Sequence, residues 1–136
     1  MGFVPNRAIP LLENALDGDP VGQFASWFGE AGTACVREPE AAALATASAD
    51  GVPSVRMVLV KAVDKRGFVF FSDYPNRKGR ELAANPRAAL LFHWDPLGRQ
   101  VRIEGPVKRT SAEESAAYIR TRRRSSQVSA LASPQS

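Results

Sequence analysis

The chain is 136 residues long, 44% hydrophobic and 24% charged, with a formal net charge of +4. That is the length and apolar share of one globular domain, and no apolar run reaches the roughly 20 residues a membrane-spanning helix needs. The basic excess is small and interspersed with acids, which argues against a nucleic-acid tract, and the single cysteine, Cys35, excludes an internal disulfide and suits a reducing compartment.

Residues 1–18 read as an irregular segment and 19–136 as the domain. Pro5 and Pro10 break any early helix, and residues 11–16 form at most a short turn. The N-terminus lacks the apolar core of a signal peptide, so a cytoplasmic chain is expected. Asp19-Pro20 is a helix start, with Asp as cap and Pro at the first helical position. Val21, Phe24, Ala25 and Phe28 recur at helical spacing and are expected to be buried, with Trp27 beside them. Gly29 and Gly32 weaken the end of this helix, and Cys35 is expected as small core filler.

Residues 41–48 read as a strand, Ala49-Asp50-Gly51 as its turn, and Pro53-Ser54-Val55 as the way into a central strand ending at Lys61. Asp64-Lys65-Arg66-Gly67 is a hairpin turn in which Gly67 takes positive φ, and Phe68 opens the next strand. Asn76 caps a short helix that carries Arg77 and Lys78 in its first turn and ends at Asn85-Pro86. Residues 88–94 form a strand, Asp95-Pro96-Leu97-Gly98 turns it, and the next strand puts Gln100, Arg102 and Glu104 on one face and Val101 and Ile103 on the other. Thr110-Ser111-Ala112-Glu113-Glu114 is a capping box for a helix carrying Tyr118 and Arg122 on one face. Sequential antiparallel strands with a few short helices define a mainly β, α+β fold, a small closed or nearly closed antiparallel barrel.

Cations are out of place at a helix N-terminus, where unpaired N–H groups already carry positive charge. Arg77 and Lys78 at such a start therefore make either a phosphate cradle or a pair of solvated side chains. Arg56, Lys61, Arg77, Lys78 and Arg80 form one basic cluster and Arg120, Arg122, Arg123 and Arg124 another, read as discrete phosphate sites. His93 is the only histidine and reads as structural; no metal-ligand cluster and no nucleophile, Walker or dinucleotide motif is present. No side chain is assigned as catalytic acid or base. Arg56 and Lys61 are an odd number of residues apart, so a regular strand sends them to opposite faces; a bulge, a strand end or a second subunit is needed to bring both to one site.

Together these segments resemble the pyridoxamine 5′-phosphate oxidase family. The resemblance runs through Arg56-Met57-Val58-Leu59-Val60-Lys61, Gly67-Phe68-Val69-Phe70-Phe71-Ser72, Asn76-Arg77-Lys78-Gly79-Arg80-Glu81-Leu82, Asn85-Pro86, Trp94, Arg99-Gln100-Val101-Arg102-Ile103, and the Tyr118 helix, in the family's order. It implies an FMN-binding split barrel, built as a homodimer with FMN at the interface. It implies FMN contacts from Arg56, Met57, Val58, Leu59, Val60, Lys61, Phe71, Ser72, Arg77, Lys78, Gln100, Gln135 and Ser136, with Gln100 from the opposite subunit. It implies a substrate, pyridoxamine or pyridoxine 5′-phosphate, held by Lys61, Tyr118, Arg122 and Ser126 and oxidised to pyridoxal 5′-phosphate. Hydride would pass from the substrate to the flavin, and molecular oxygen would reoxidise it; no metal, nucleic acid or membrane partner is implied.

The sequence departs from the family pattern in places. The Arg-Arg-Glu-Tyr type segment that lies over the substrate is not found near the N-terminus. Arg122-Arg123-Arg124 replaces Arg-Pro-Arg, and Val128-Ser129-Ala130-Leu131 replaces Ile-Gly-Ala-Trp. Family members continue past the position of Ser136 with strands that carry further FMN and substrate residues. Weak FMN binding and reduced or absent turnover are therefore expected of the 136-residue chain. The alternatives are a non-catalytic flavin or B6-phosphate binder and a split-barrel reductase with another substrate.

Overall fold

The computed structural model describes residues 11–64, 66–71, 75–111 and 113. Five antiparallel strands follow the alternation of the sequence: β1 Ala41–Ala47, β2 Pro53–Asp64, β3 Gly67–Phe70, β4 Arg87–Trp94 and β5 Arg99–Pro106. They pair in the order β3-β2-β1-β4-β5, a curled half-barrel whose edges among the described residues are β3 and β5. Two helices accompany them, α1 Pro20–Thr33 and α2 Arg77–Ala84, with 3-10 turns at Glu13–Ala15 and Asp95–Leu97. The helix predicted after Thr110 lies outside the described residues apart from Glu113.

One face of the sheet carries the core. Ala42 and Leu44 of β1, Val58 and Val60 of β2, and Leu90, Phe92 and Trp94 of β4 are buried there against Phe24 and Ala31 of α1. Asp19 caps α1, its carboxylate accepting from the Val21 N–H at 3.1 Å. The buried stripe of α1 runs through Phe24, Trp27, Phe28 and Ala31, the i, i+3, i+4, i+7 pattern of a helix on a sheet. Two residues predicted for that face are exposed. Ala25 lies about 100° around the helix from Phe24, and Val21 stands in the first turn, 37% exposed. Phe24 is the centre of the aromatic cluster, 5.0 Å from Phe92, 5.7 Å from Trp94 and edge-on to Phe68 at 4.9 Å. The Trp94 indole N–H is satisfied by the Pro39 carbonyl at 3.0 Å.

Cys35 is exposed, not core filler. Its φ of 61° places it in the left-handed region just past the end of α1. The Ala34 N–H bonds to the Glu30 carbonyl and the Val36 N–H to the Ala31 carbonyl at 3.2 Å, so Cys35 occupies the position where such a helix end normally has glycine. Val36 turns back onto the core while the Cys35 side chain is left outside.

The β2–β3 hairpin holds the predicted turn, with Asp64 opposite Gly67 and Gly67 at φ 125°. Lys65 itself lies outside the described residues. Pairing shifts between Val60 and Ala62: Val60 faces Phe70, but Ala62 faces Val69. Lys61 is the extra residue of a β-bulge. The core side of β2 thus passes from Val58 and Val60 to Val63, which packs on the core, while Ala62 is exposed.

Candidate functional site

The site is built where α2 meets the ends of β1 and β2. Asn76 caps α2 as its sequence predicts, its side-chain oxygen accepting from the Gly79 N–H at 2.9 Å. One turn later the chain places Glu81, 7% exposed, over the core-side face of the β1–β2 pair. Thr46 and Ser54 are register partners there. Both hydroxyls donate to the Glu81 carboxylate, Thr46 at 2.5 Å and Ser54 at 2.8 Å. Arg77, four residues earlier on α2, donates from Nε to the same carboxylate at 2.8 Å.

Arg56 lies two residues beyond Ser54 and so shares its face. Its Nη1 donates to the Thr46 hydroxyl at 2.7 Å and to the Leu44 carbonyl at 3.2 Å, and its Nη2 donates to the Ser54 hydroxyl at 2.6 Å. Each hydroxyl thus accepts from Arg56 and donates to Glu81, and the carboxylate binds one arginine directly and the other through two relays. The hydrogen bonds from Thr46 and Ser54, then the Arg77 guanidinium, hold the Glu81 carboxyl down at about 2 against the effect of burial. Burial lowers the Arg56 pKa from its ordinary value, with Glu81 opposing and the like charge of Arg77 adding to it.

An open cleft of about 380 Å³ lies beside this network, lined by Ser48, Ala49, Val52, Arg77, Arg80, Glu81 and Ala84. Among the described residues around the start of α2, Arg56, Arg77, Lys78 and Arg80 outnumber the carboxylate of Glu81. Lys78 is only 2% exposed, an uncommon state for lysine. The donor set and its excess of positive charge fit a phosphomonoester.

The other predicted contacts separate by face. Val58 and Val60 are core residues and can meet a ligand by backbone alone. Met57 and Leu59 are 54% and 39% exposed on the opposite face, with Val55 at 68%. Across the sheet from them lie Ala43, Ala41 and Ala45, and beyond Ala43 lies Leu91, so this outer face is apolar over three strands. Lys61 is exposed at the bulge, and Phe71 is half-buried after β3. Gln100 is exposed on β5, paired with His93. His93 is itself exposed, its Nε2 4.0 Å from Asp95. Three strand spacings, on the order of 14 Å, separate β5 from β2 within one chain. Arg56 and Arg77 are thus brought together, whereas Gln100 stands apart from both. Ser72, Tyr118, Arg122, Ser126, Gln135 and Ser136 lie outside the described residues, as do Arg120, Arg123 and Arg124.

Thr46, Ser54 and Glu81 were not singled out as site residues in the sequence. Ser54 and Arg56 at strand spacing and Arg77 and Glu81 at helical i, i+4 spacing were the available signals.

The fold has clear counterparts. PhzG from Burkholderia lata 383, solved with tetrahydrophenazine-1-carboxylic acid, superposes with a TM-score of 0.86 at 32% identity, covering 93% of this chain and 64% of that one. A pyridoxamine 5′-phosphate oxidase-related, FMN-binding protein from Nostoc punctiforme matches with a TM-score of 0.66 at 14% identity, over 85% of this chain and 64% of that one, a likeness of fold. The half-barrel with its two helices is therefore of the split-barrel class, the fold of that FMN-binding protein. The sequence narrows this further. The family model for pyridoxamine 5′-phosphate oxidase matches residues 28–136. Pyridoxine/pyridoxamine 5′-phosphate oxidases of Cupriavidus taiwanensis and Rubrobacter xylanophilus are each 57% identical over 126 residues, 93% of this chain. The chain belongs to the pyridoxamine 5′-phosphate oxidase family. It spans 59% and 58% of the length of those two relatives.

Proposed function

We propose that this chain forms the FMN- and phosphate-binding part of an oxidase that converts pyridoxamine or pyridoxine 5′-phosphate to pyridoxal 5′-phosphate with oxygen as electron acceptor. The observation that carries the reading is the cationic start of α2, where Arg77 bonds Glu81 directly, Arg56 reaches the same carboxylate through two hydroxyls, and Arg77 and Arg80 line an open cleft with that one acid. Arg77 and Lys78 would hold the FMN phosphate, with Arg56 bracing the strand beneath it. FMN, when bound, would supply the two-electron acceptor for the substrate's carbon–hydrogen bond. The side chains bind and orient; none is assigned as an acid or base.

The homodimer belongs to the same proposal. The apolar outer face of β2, β1 and β4 is suited to a second copy. The distance between Gln100 and β2 within one chain favours a partner's Gln100 completing the flavin site. Lys61, with Tyr118, Arg122 and Ser126, would bind the substrate phosphate. The similarity to PhzG supports a second reading, in which the same barrel oxidises a reduced aromatic carboxylic acid.

The test is direct. The purified protein is titrated with FMN while flavin fluorescence is followed, then given pyridoxine 5′-phosphate under oxygen with peroxide as readout. Quenching with weak affinity is expected, with any peroxide appearing on the phosphorylated but not the unphosphorylated alcohol and well below full turnover. Protein that leaves FMN fluorescence unchanged would refute the cofactor assignment. FMN binding with peroxide from a reduced aromatic acid alone would favour the second reading.

A further inference from the structure

Glu81 poses an electrostatic problem. An acidic side chain beside a phosphate site repels the ligand, and this one is fully ionised at neutral pH, its carboxyl held at about 2. It is nevertheless bonded to three partners. Thr46, Ser54 and Arg77 all donate to it. The two hydroxyls that donate to it are the same two that receive Arg56. Arg77 reaches it by Nε, the inner edge of the guanidinium. A guanidinium held by that edge keeps its two terminal amino groups for a second oxyanion. Arg77 also lines the open cleft, so such an oxyanion has access.

We propose that Glu81 is a positioning residue: it fixes the Arg77 guanidinium directly in the orientation that grips the ligand's phosphate, and through Thr46 and Ser54 it holds Arg56, which braces the strand beneath. This rests on the FMN reading above and extends it to residues outside the predicted contact set. The gain is pre-organisation. Two long side chains that would otherwise sample many rotamers are held before the ligand arrives, and their ordering cost falls on folding rather than on binding. Each hydroxyl accepts from Arg56 through a lone pair and gives its own proton to Glu81, so the relay runs in one direction, from guanidinium to carboxylate.

The proposal predicts a sign opposite to simple electrostatics. Replacing Glu81 by Gln removes a negative charge and on charge alone should tighten anion binding. Positioning requires it to weaken. The experiment compares the dissociation constants of FMN and riboflavin, which share the ring and differ in the phosphate, for the wild-type protein, Glu81→Gln and Ser54→Ala. Glu81→Gln is expected to weaken FMN on the order of tenfold, the worth of one charge-assisted hydrogen bond, and to leave riboflavin unchanged. Ser54→Ala removes one leg of the relay without changing any charge, and is mild enough to fold if Glu81→Gln does not. It is expected to weaken FMN by a smaller factor, again sparing riboflavin. Tighter FMN binding by Glu81→Gln, or equal losses for FMN and riboflavin in either variant, would overturn the positioning role and leave the phosphate site standing. A wild-type protein that binds FMN no better than riboflavin would overturn the phosphate site and this proposal with it.

Discussion

Thr46 and Ser54 face each other across the β1–β2 pair, their hydroxyl oxygens 3.3 Å apart, and both donate to the same carboxylate on α2. Helix and sheet are therefore joined by a charged polar contact where apolar packing is the usual solution. Alternation puts Thr46 in line with Ala42 and Leu44, so a β-branched polar residue continues a core row and ends it at Glu81.

Acid should loosen this joint. The Glu81 carboxyl sits at about 2 in the fold against 4.5 ordinarily. A depressed folded-state pKa contributes stability that is complete above the unfolded value and lost as pH falls. The loss should therefore run from about pH 4.5 down to about pH 2. Glu81→Gln should flatten that limb of a urea-midpoint-against-pH curve; variant and wild-type curves with the same slope there would assign acid sensitivity to other groups.

Cys35→Gly should stabilise the protein. A non-glycine residue in the left-handed region costs about 1 kcal/mol, and the change leaves the bonds from Ala34 and Val36 in place. The melting temperature should rise by roughly 3–5 °C, and Cys35→Val should lower it. A fall with glycine would mean that the thiol makes a contribution of its own.

Phe24→Ala should be the most damaging single truncation of α1. The ring touches Phe68, Phe92 and Trp94, and its loss leaves a cavity that the sheet below cannot collapse to fill. About 3–5 kcal/mol of stability should go, read as a drop in denaturant midpoint. Val21→Ala, on the same helix but 37% exposed, should cost far less.

Met57→Glu addresses the outer face. Met57 is 54% exposed amid Val55, Leu59 and the alanines of β1. Wild-type protein is expected to sediment as a dimer at micromolar concentration and Met57→Glu as a monomer with an unchanged far-ultraviolet spectrum. Equal sedimentation of the two would place any second copy elsewhere.

The strands, both capped helices and the turns at Gly51 and Gly67 were legible because each rests on local chemistry: alternation, an Asp or Asn cap, a glycine at positive φ. The odd spacing of Arg56 and Lys61 left a bulge, a strand end or a second subunit open, and the bulge found lies at Lys61 itself. What escaped was non-local. Glu81 comes to Thr46 across 35 residues of sequence, so a carboxylate that reads as one more surface charge becomes a buried partner of both strands at this joint. The fate of Cys35 was hidden because composition makes cysteine a core residue, while its position after Thr33 makes it a helix terminator.

The extra residue at Lys61 sets a reading frame for mutagenesis. In a saturation scan, tolerance along β2 should alternate with period two as far as Val60, skip a beat, and resume with Val63 as the next intolerant position and Ala62 permissive. Deleting Lys61 would restore strict alternation with Val60 and Val63 still on the core side and Ala62 outside, so one missing codon would erase the bulge and leave the β3 arm on its present sides.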